Sequence, residues 1–576
     1  MHDPVIDFEQ IRKEAIEALP PNTFNLIKTK HSSGKANSEA WRCVIDCDFG
    51  DRIVPIALRI ELPIYFPLSF PRVYLEKESI PLIGFIPHLN DNEYICTYQE
   101  GFDIPNPSGA ANQIYTAIKN ARDIIEDGKR KRNERDIDDE FANYWSEQFD
   151  SKFPVLNSYL SLIDEENPAD IYVAILESPI GIYKQIIFSQ ERQFVGLKDY
   201  LNRRKIKFTV EPVFFIAHEI NLRPPFLKTN FDVVQLLIGL EKLEEFYKYF
   251  SKAKYASVIV RKRINDQTYY FGWNHTRIVL PKGWMRMPSV AKAYTELPQR
   301  NEHIQRFICD DYSPQRLQLR TSGMAKGKSI RLGFIGLGSV GSNLLHLCRS
   351  FDPDYYFLMD NDKLEVENIA RHLLGIKYCG QNKAEAIKSH LQDYRPEIPI
   401  EVLSSDLLSL IERKFDKLNE CDLNFICIGD TVRETVIADA IKSGLLTKPC
   451  AFLWVEPYLA SGHLIYIHPS DPKDYKDYFD EEGFYKFRVL SNDNPKNELM
   501  KKEAGCSSAF TPYGAPDLIQ FLSALLPQLR KVWINPHQSS FRMSWIGNLE
   551  YLLREGFKVE SEHVNSEYNT LNINSL

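Results

Sequence analysis

Residues 330–341, IRLGFIGLGSVG, restrict the fold of this chain more than any other stretch. A short apolar run, IRLGFIG, meets three glycines, Gly336, Gly338 and Gly341, and these open a helical pattern, SVGSNLLHLCRSF. Glycines between a strand and a helix let the backbone turn tightly and approach a ligand closely. The alternation then continues. DYYFLMD reads as a strand ending at Asp360, NKAEAIKSHLQDY as a helix, IEVLSSD as a strand, and CDLNFICIGD as a strand ending at Asp430. Strands alternating with helices imply right-handed crossovers, hence a parallel sheet with helices on both faces. Ligands of such sheets lie beyond the carboxyl ends of the strands. The glycines, Asp360 and Asp430 all fall on that edge.

A helix N-terminus behind glycines offers N–H groups and partial positive charge to a phosphate. Asp360, 19 residues after Gly341, suits ribose hydroxyls. A dinucleotide-dependent dehydrogenase needs these features but not the rest of DNDKLEVENIARHLLG…CGQNKAEA. There Asn368 and Arg371 follow a turn and Lys383 begins a helix. Two cations suit a triphosphate that takes part in the reaction, and Asp430 suits Mg2+, a hard ion preferring carboxylate and phosphate oxygens. Taken singly, Arg371 and Lys383 read as an ordinary solvated face. Together with the glycines and two strand-end aspartates they favour ATP over NAD.

At 576 residues the chain has material for several domains. Residues 1–150 read as a helix, a meander of alternating strands (FNLIKTK, WRCVIDCDF, IVPIALRIELP, RVYLEK), a proline-rich connection (PIYFPLSFP), an irregular cysteine-bearing stretch and one or two helices: an α+β domain. Residues 151–325 mix strands, IIFSQERQFVGL among them, with the helical FDVVQLLIGLEKLEEFYKYF and show no catalytic constellation; they read as an α/β linker or docking domain. Residues 326–576 form the doubly wound domain. The net charge of −8 argues against a general nucleic-acid or membrane-surface protein. No apolar run approaches the ~18–20 residues that span a bilayer. Ten scattered cysteines without CxxC pairs point to reduced thiols in a cytoplasm rather than disulfides or zinc.

Two cysteines stand apart. Cys96 lies in HLNDNEYICTYQEG (88–101), too polar for a core, and Cys506 in KKEAGCSSAFTPYG (501–514), between Gly505 and Ser507 with lysines upstream and a helix downstream. Such a setting suits an accessible thiolate. Cys43 and Cys47 share a strand face, Cys348 lies in a helix and Cys427 in a strand; these read as small core hydrophobes. Cys379 is on a polar loop and stays ambiguous.

GFIGLGSVGS…FLMDNDKLEVENIARH…GQNKAEA…GD resembles the adenylation domain of ThiF- and MoeB-type enzymes and of ubiquitin-activating enzymes, with Ser339 for a glycine and His372 for a glutamine. The resemblance implies that Asp360 binds ribose, that Asn368, Arg371 and Lys383 bind phosphates, that Asp430 holds magnesium, and that a cysteine, here Cys506, takes the activated acyl group as a thioester. Arg306 is a candidate for the arginine that such domains borrow from a dimer partner. Residues 1–150 resemble ubiquitin-conjugating enzymes through WRCVID, LRIELPIYFPLSFPRVYL and PHLNDNEYICTY. The family's H-P-N reads here as His88-Leu89-Asn90, followed by Cys96. By resemblance Cys96 receives the acyl group, and the amide of Asn90, or of Asn92, stabilises the oxyanion when an amine attacks.

The order of the two ends resembles the CD-NTase-associated ubiquitin-transferase-like fusion proteins of bacterial CBASS antiviral operons. It implies a cGAS-like nucleotidyltransferase as acyl donor, a lysine-bearing target and a homodimer through the activating domain. The alternatives are a sulfur-carrier adenylyltransferase of the ThiF/MoeB type, in which Cys96 is idle, and a non-catalytic nucleotide-binding scaffold.

Overall fold

The structure, a computed structural model, describes residues 7–20, 24–29, 39–90, 92–99, 102–146, 159–217, 220, 222–224, 226–250, 252–253, 256–264, 267–275, 301–322, 329–412, 415–502, 509–534 and 539–576. It falls into two compact units. One comprises residues 1–189 and 208–311, the other residues 190–207 and 312–576.

The first unit contains two sheets. Strands β1 (Ile27–Thr29), β2 (Glu39–Asp48), β3 (Ile53–Leu62), β4 (Arg72–Leu75) and β5 (Tyr94–Ile95) form an antiparallel meander in sequence order. Cys43, Ile45 and Cys47 alternate inward on β2, and Ile56, Leu58, Ile60 and Leu62 do so on β3. The helix Ala110–Lys129 closes this core with Ile114, Ala117, Ile118, Ala121 and Ile125, spaced at three and four residues. Burial pushes the thiols of Cys43 and Cys47 up to about 12, so both are inert core residues.

Beyond that helix lie two short ones, Asp136–Asp139 and Phe141–Ser146. They lead to β6 (Tyr159–Ser161), β7 (Tyr172–Ile180), β8 (Tyr183–Phe188), β9 (Phe208–Pro212), β10 (Phe214–Ile216), β11 (Ala256–Ile264), β12 (Gln267–His275) and β13 (Gln305–Asp311). These form one mixed sheet in the order β10-β11-β12-β13-β6-β8-β7-β9. FDVVQLLIGLEKLEEFYKYF forms two helices, Asn230–Gly239 and Leu243–Phe250, parted at Glu241, whose φ is 56°.

The second unit is built on a parallel sheet. Its order is β16 (Ile400–Leu403), β15 (Tyr355–Met359), β14 (Arg331–Ile335), β17 (Leu423–Ile426), β18 (Cys450–Val455), then β19 (Ser461–Ile467), β22 (Phe541–Ile546) and β23 (Leu571–Ser575). The first five run parallel and the rest antiparallel. β20 (Lys501–Lys502) and β21 (Ala509–Phe510) form a separate antiparallel pair. The sequence places Asp430 at a strand end; in the structure β17 stops at Ile426 and Asp430 is the N-cap of the helix Thr431–Lys442. The sequence also reads QERQFVGL as strand. It is the helix Glu191–Arg203, begun by a capping box between Gln190 and Gln193. This helix belongs to the second unit: Arg203 meets Glu385, Lys388 meets Asp199, and Gly196 lies so close to Glu397 that a Cβ would stand 2.1 Å from its carbonyl oxygen.

Candidate functional site

Two regions carry the residues singled out by the sequence. In the second unit, β14 ends into the glycine turn. Gly336 has φ of 84°, and its N–H donates to the Met359 carbonyl at 2.9 Å. A Cβ on Gly336 would come within 2.5 Å of the Cys427 carbonyl oxygen, and one on Gly341 within 2.0 Å of that of Gly336. Those two positions therefore admit no larger side chain. Gly338, the N-cap of the helix Ser339–Cys348, faces open space, which leaves room for a ligand at the helix N-terminus.

Asp360 follows β15 and is buried. Its Oδ2 accepts the Leu337 N–H at 2.6 Å and its Oδ1 the Asp362 N–H at 2.8 Å. Burial raises its carboxyl pKa against the pull of those two bonds. The carboxylate thus fixes the glycine turn to the end of the neighbouring strand. Lys383, first residue of its helix and buried, holds Asp362 Oδ2 at 3.0 Å. Asn382 caps that helix and donates to the Asp360 carbonyl at 2.8 Å. Asn368 accepts the Glu365 N–H at 3.1 Å through its side chain. Arg371 donates to the Thr511 carbonyl at 2.7 Å and lies over the Tyr513 ring. The structure therefore gathers Gly336, Gly341, Asp360 and Lys383 into one bonded group, joins Arg371 to the segment beyond β21, and leaves Asn368 in its own turn.

The two departures from the family pattern have local explanations. Ser339 hydrogen-bonds through Oγ to the Tyr513 hydroxyl. His372 donates from Nε2 to the Leu337 carbonyl at 2.7 Å and accepts the Leu374 N–H on Nδ1 at 3.0 Å. Burial depresses its pKa to about 4, so it is neutral and splints the glycine turn as a neutral amide would. Asp430 spends Oδ1 on the N–H groups of Val432 and Arg433 at 3.0 and 3.1 Å, while its Oδ2 has the Arg433 guanidinium at 3.7 Å. This half-exposed carboxylate suits a hard cation through Oδ2. No cluster of three metal-ligating side chains exists among the described residues.

Sequence reasoning missed Thr511, Tyr513 and Glu434. Glu434 is buried, accepts the Gly429 N–H at 3.0 Å and the Tyr475 hydroxyl at 2.8 Å, and has its pKa raised to about 7 by burial. Tyr513 lies 174 positions from Ser339; no local pattern announces such a contact. A cavity of about 500 Å³ is lined by His346, Arg349, Tyr356, Tyr394 and Arg395 among others. It lies away from the glycine turn, beside the helix ends that precede β15 and β16. Cys506 falls in 503–508, outside the described residues.

In the first unit, residues 88–90 and 94–96 pair antiparallel. Leu89 pairs with Ile95, the Asn90 N–H reaches the Tyr94 carbonyl at 3.0 Å, and the Cys96 N–H reaches the His88 carbonyl at 2.8 Å. Asn90 Oδ1 accepts the N–H groups of Asn92 and Tyr94 at 3.1 and 3.0 Å. This Asx-type closure explains the short spacing from asparagine to cysteine. It also orients the asparagine, since its oxygen is committed to the turn and its Nδ2 is the remaining donor. Asn92 is exposed. Cys96 is exposed as well. His88, at φ of 65°, donates its N–H to the Tyr144 hydroxyl oxygen at 2.7 Å. Its ring is held between Glu140 at 2.8 Å and Asp136 at 3.0 Å. The hydrogen bond to Glu140, then Asp136, raises the imidazole pKa against the opposing effect of burial.

Arg306 is on β13, with its guanidinium over the rings of Trp145 and Phe226. Cys348 and Cys427 have thiols raised far above the ordinary range by burial.

Comparison with known proteins follows the same division. Residues 17–154 match the prokaryotic E2 family B, and residues 312–507 match the ThiF family. Among curated proteins the chain is similar to the ATP-dependent ubiquitin transferase-like protein Cap2 of Enterobacter hormaechei subsp. hoffmannii (strain UCI 50), 29% identical over 140 residues. That segment is 24% of this chain, and the chain spans 23% of the length of the relative. Among solved structures, PaaA is 15% identical with a TM-score of 0.30, over 43% of this chain and 71% of that one. The E. coli tRNA N6-threonylcarbamoyladenosine dehydratase TcdA is 15% identical with a TM-score of 0.23, over 26% and 65%. Over the matched residues, the chain is similar first to the prokaryotic E2 family B and then to the ThiF family.

Proposed function

We propose that this chain activates a protein C-terminal carboxylate with ATP and conjugates it to an amine. The observation that carries the reading is the pairing, in one chain, of an exposed cysteine loop within an E2-family segment and a bonded glycine-turn and aspartate site within a ThiF-family segment. The three working parts are residues 1–150 (conjugating), 151–325 (linker) and 326–576 (activating).

The steps balance as acyl transfers. The carboxylate attacks the α-phosphorus of ATP, and pyrophosphate leaves. The Cys506 thiolate attacks the acyl carbon, and AMP leaves. The Cys96 thiolate displaces that of Cys506. A target amine, such as a lysine, then displaces the Cys96 thiolate and loses a proton to solvent. Gly336, Gly338 and Gly341 admit the phosphates at the helix N-terminus, Asp360 takes the ribose, and Asn368, Arg371 and Lys383 bind the phosphates. Asp430 would hold Mg2+ through Oδ2, and the ion would neutralise phosphate charge. Asn90 Nδ2 donates to the oxyanion during aminolysis, with Asn92 as the second candidate, a contribution typically worth about 3 kcal/mol.

The name of the Cap2 relative, an ATP-dependent ubiquitin transferase-like protein, supports ATP-dependent transfer; from the resemblance of the domain order we infer the C-terminus of a CD-NTase as donor, in antiviral defence. We infer a cytoplasmic homodimer assembled through the activating domain, acting on protein rather than directly on nucleic acid or membrane. No described helix is long and apolar enough to cross a bilayer.

The test mixes the protein with Mg-ATP and a CD-NTase with an intact C-terminus, run with and without reductant. A reductant-sensitive adduct lost in Cys506→Ala, with conjugates lost in both Cys506→Ala and Cys96→Ala, is the expected result. Conjugates that persist in Cys96→Ala would instead favour the sulfur-carrier type of adenylyltransferase. ATP binding without any adduct would favour a scaffold.

A further inference from the structure

The segment 136–146 carries two stripes at a spacing of four. Asp136, Glu140 and Tyr144 form one, and Ile137, Phe141 and Trp145 the other. Residues four apart share a helix face, so the segment presents two different surfaces.

The first stripe meets the cysteine loop. Asp136 and Glu140 hold the His88 ring, Tyr144 accepts the His88 N–H, and the Tyr144 hydroxyl donates to Glu140. Through the His88 carbonyl this group reaches the Cys96 N–H. Burial, then Glu140, pushes the Tyr144 hydroxyl above its ordinary range, and a Cys96 thiolate adds to the rise. A Cys96 thiolate therefore lies within electrostatic reach of the Tyr144 hydroxyl.

The second stripe is buried in the core of the central sheet. Phe141 and Trp145 are fully buried and pack edge-on against Phe226 and Phe271. Trp145 Nε1 donates to the Phe307 carbonyl at 2.9 Å. Asp138, on the far side of the apolar stripe, pairs with Lys262 of β11 at 2.7 Å.

We propose that Glu140 and Tyr144 are positioning residues for Cys96, held in place because the central sheet grips the neighbouring face of their helical segment. This deepens the conjugating role proposed above and rests on it. It also gives the central sheet a function: it is the seat of the strut that sets the acceptor thiol. Removing the Tyr144 hydroxyl strips the His88 N–H of its acceptor and loosens the loop. Removing the Glu140 charge releases both the His88 ring and the Tyr144 proton. The titratable groups facing His88 among the described residues are Asp136, Glu140 and Tyr144 from this segment and Cys96 from its own loop.

Tyr144→Phe and Glu140→Gln in the full chain test the idea. Tyr144→Phe keeps the ring edge against Phe85 at 5.3 Å. Cys96 is alkylated with iodoacetamide across the neutral pH range and followed by peptide mass spectrometry, with Cys379 of the same sample as reference. Amide exchange of residues 86–98 is recorded in parallel. Both variants are expected to speed exchange at His88 and Cys96 and to change the Cys96-to-Cys379 rate ratio by roughly threefold to tenfold, Glu140→Gln by removing one partly screened charge nearby and Tyr144→Phe by loosening the loop. Glu140→Gln should also move the histidine inflection of the Cys96 profile down, while Tyr144→Phe leaves it near the wild-type position. Asp136→Asn, which touches only the ring, should give the same downward movement and serves if Glu140→Gln does not fold. Unchanged ratios in both variants would overturn the proposal. So would a wild-type pH profile in Glu140→Gln, because a packing role alone does not move a titration. Neither reading needs nucleotide or acyl donor, so failure here is distinct from failure of the adduct experiment.

Discussion

Single side chains decide how tightly each site is specified. At the glycine turn, space is the constraint: Gly341→Ala puts a methyl 2.0 Å from the Gly336 carbonyl oxygen. Overpacking of this kind costs about 1–3 kcal/mol. Urea unfolding should show that loss, and calorimetry should show ATP binding abolished. At the cysteine loop, charge is the constraint, and its sign can be worked out. The folded pKa of His88 is raised above 6.5. The stability it contributes is fully present below the unfolded value and is lost as pH rises through the folded one. Its partner Glu140 is lowered from 4.5, chiefly because the bonds to His88 and Tyr144 outweigh burial. That contribution is present above 4.5 and lost as pH falls through the lower folded value. The difference in melting temperature between wild type and His88→Gln should therefore be greatest between about pH 4.5 and 6.5 and shrink on either side. A difference that grew above neutrality would contradict the pairing seen here.

Elements were legible where the pattern is local. The strand, glycine turn and helix at 330–348 follow directly from spacing, and so do Asp360 after its strand and Lys383 at the head of its helix. The inward alternation of β2 placed Cys43 and Cys47 in the core. Reading failed where the deciding partner is remote. IIFSQERQFVGL runs from β8 into the helix Glu191–Arg203 without a proline or glycine break at the junction, and only the Gln190–Gln193 capping box marks the change. The acids around His88 lie about fifty positions downstream on another element, and Thr511 lies 140 from Arg371; no period in the sequence encodes either. Asp430 illustrates a residue with two duties at one element boundary. Asparagine caps helices about as well as aspartate but lacks the charge. Asp430→Asn should therefore keep the thermal stability while lowering Mg-ATP turnover, measured as pyrophosphate release. Asp430→Ala should lose that turnover and in addition about 1 kcal/mol of stability. Loss of stability in both variants would make the carboxylate chiefly structural.

For the molecule as a whole, the chain is not a row of separable domains. It leaves its first compact unit after residue 189, contributes residues 190–207 to the second, returns at 208 and leaves again after 311. Phe194, Leu197 and Leu201 of that excursion are buried. A fragment beginning at residue 312 should therefore melt lower than the intact second unit, and a synthetic peptide of residues 188–207 should restore the difference in a thermal-shift assay. An unchanged melting temperature with and without the peptide would show that the excursion adds nothing. The same interlacing bears on how such a gene can change. A single recombination after residue 311 would give each descendant one parent's helix packed against the other parent's partner surface. A matched exchange of either half with a relative therefore needs three breakpoints together, at 189/190, 207/208 and 311/312, so in descent the halves tend to travel as one inherited unit.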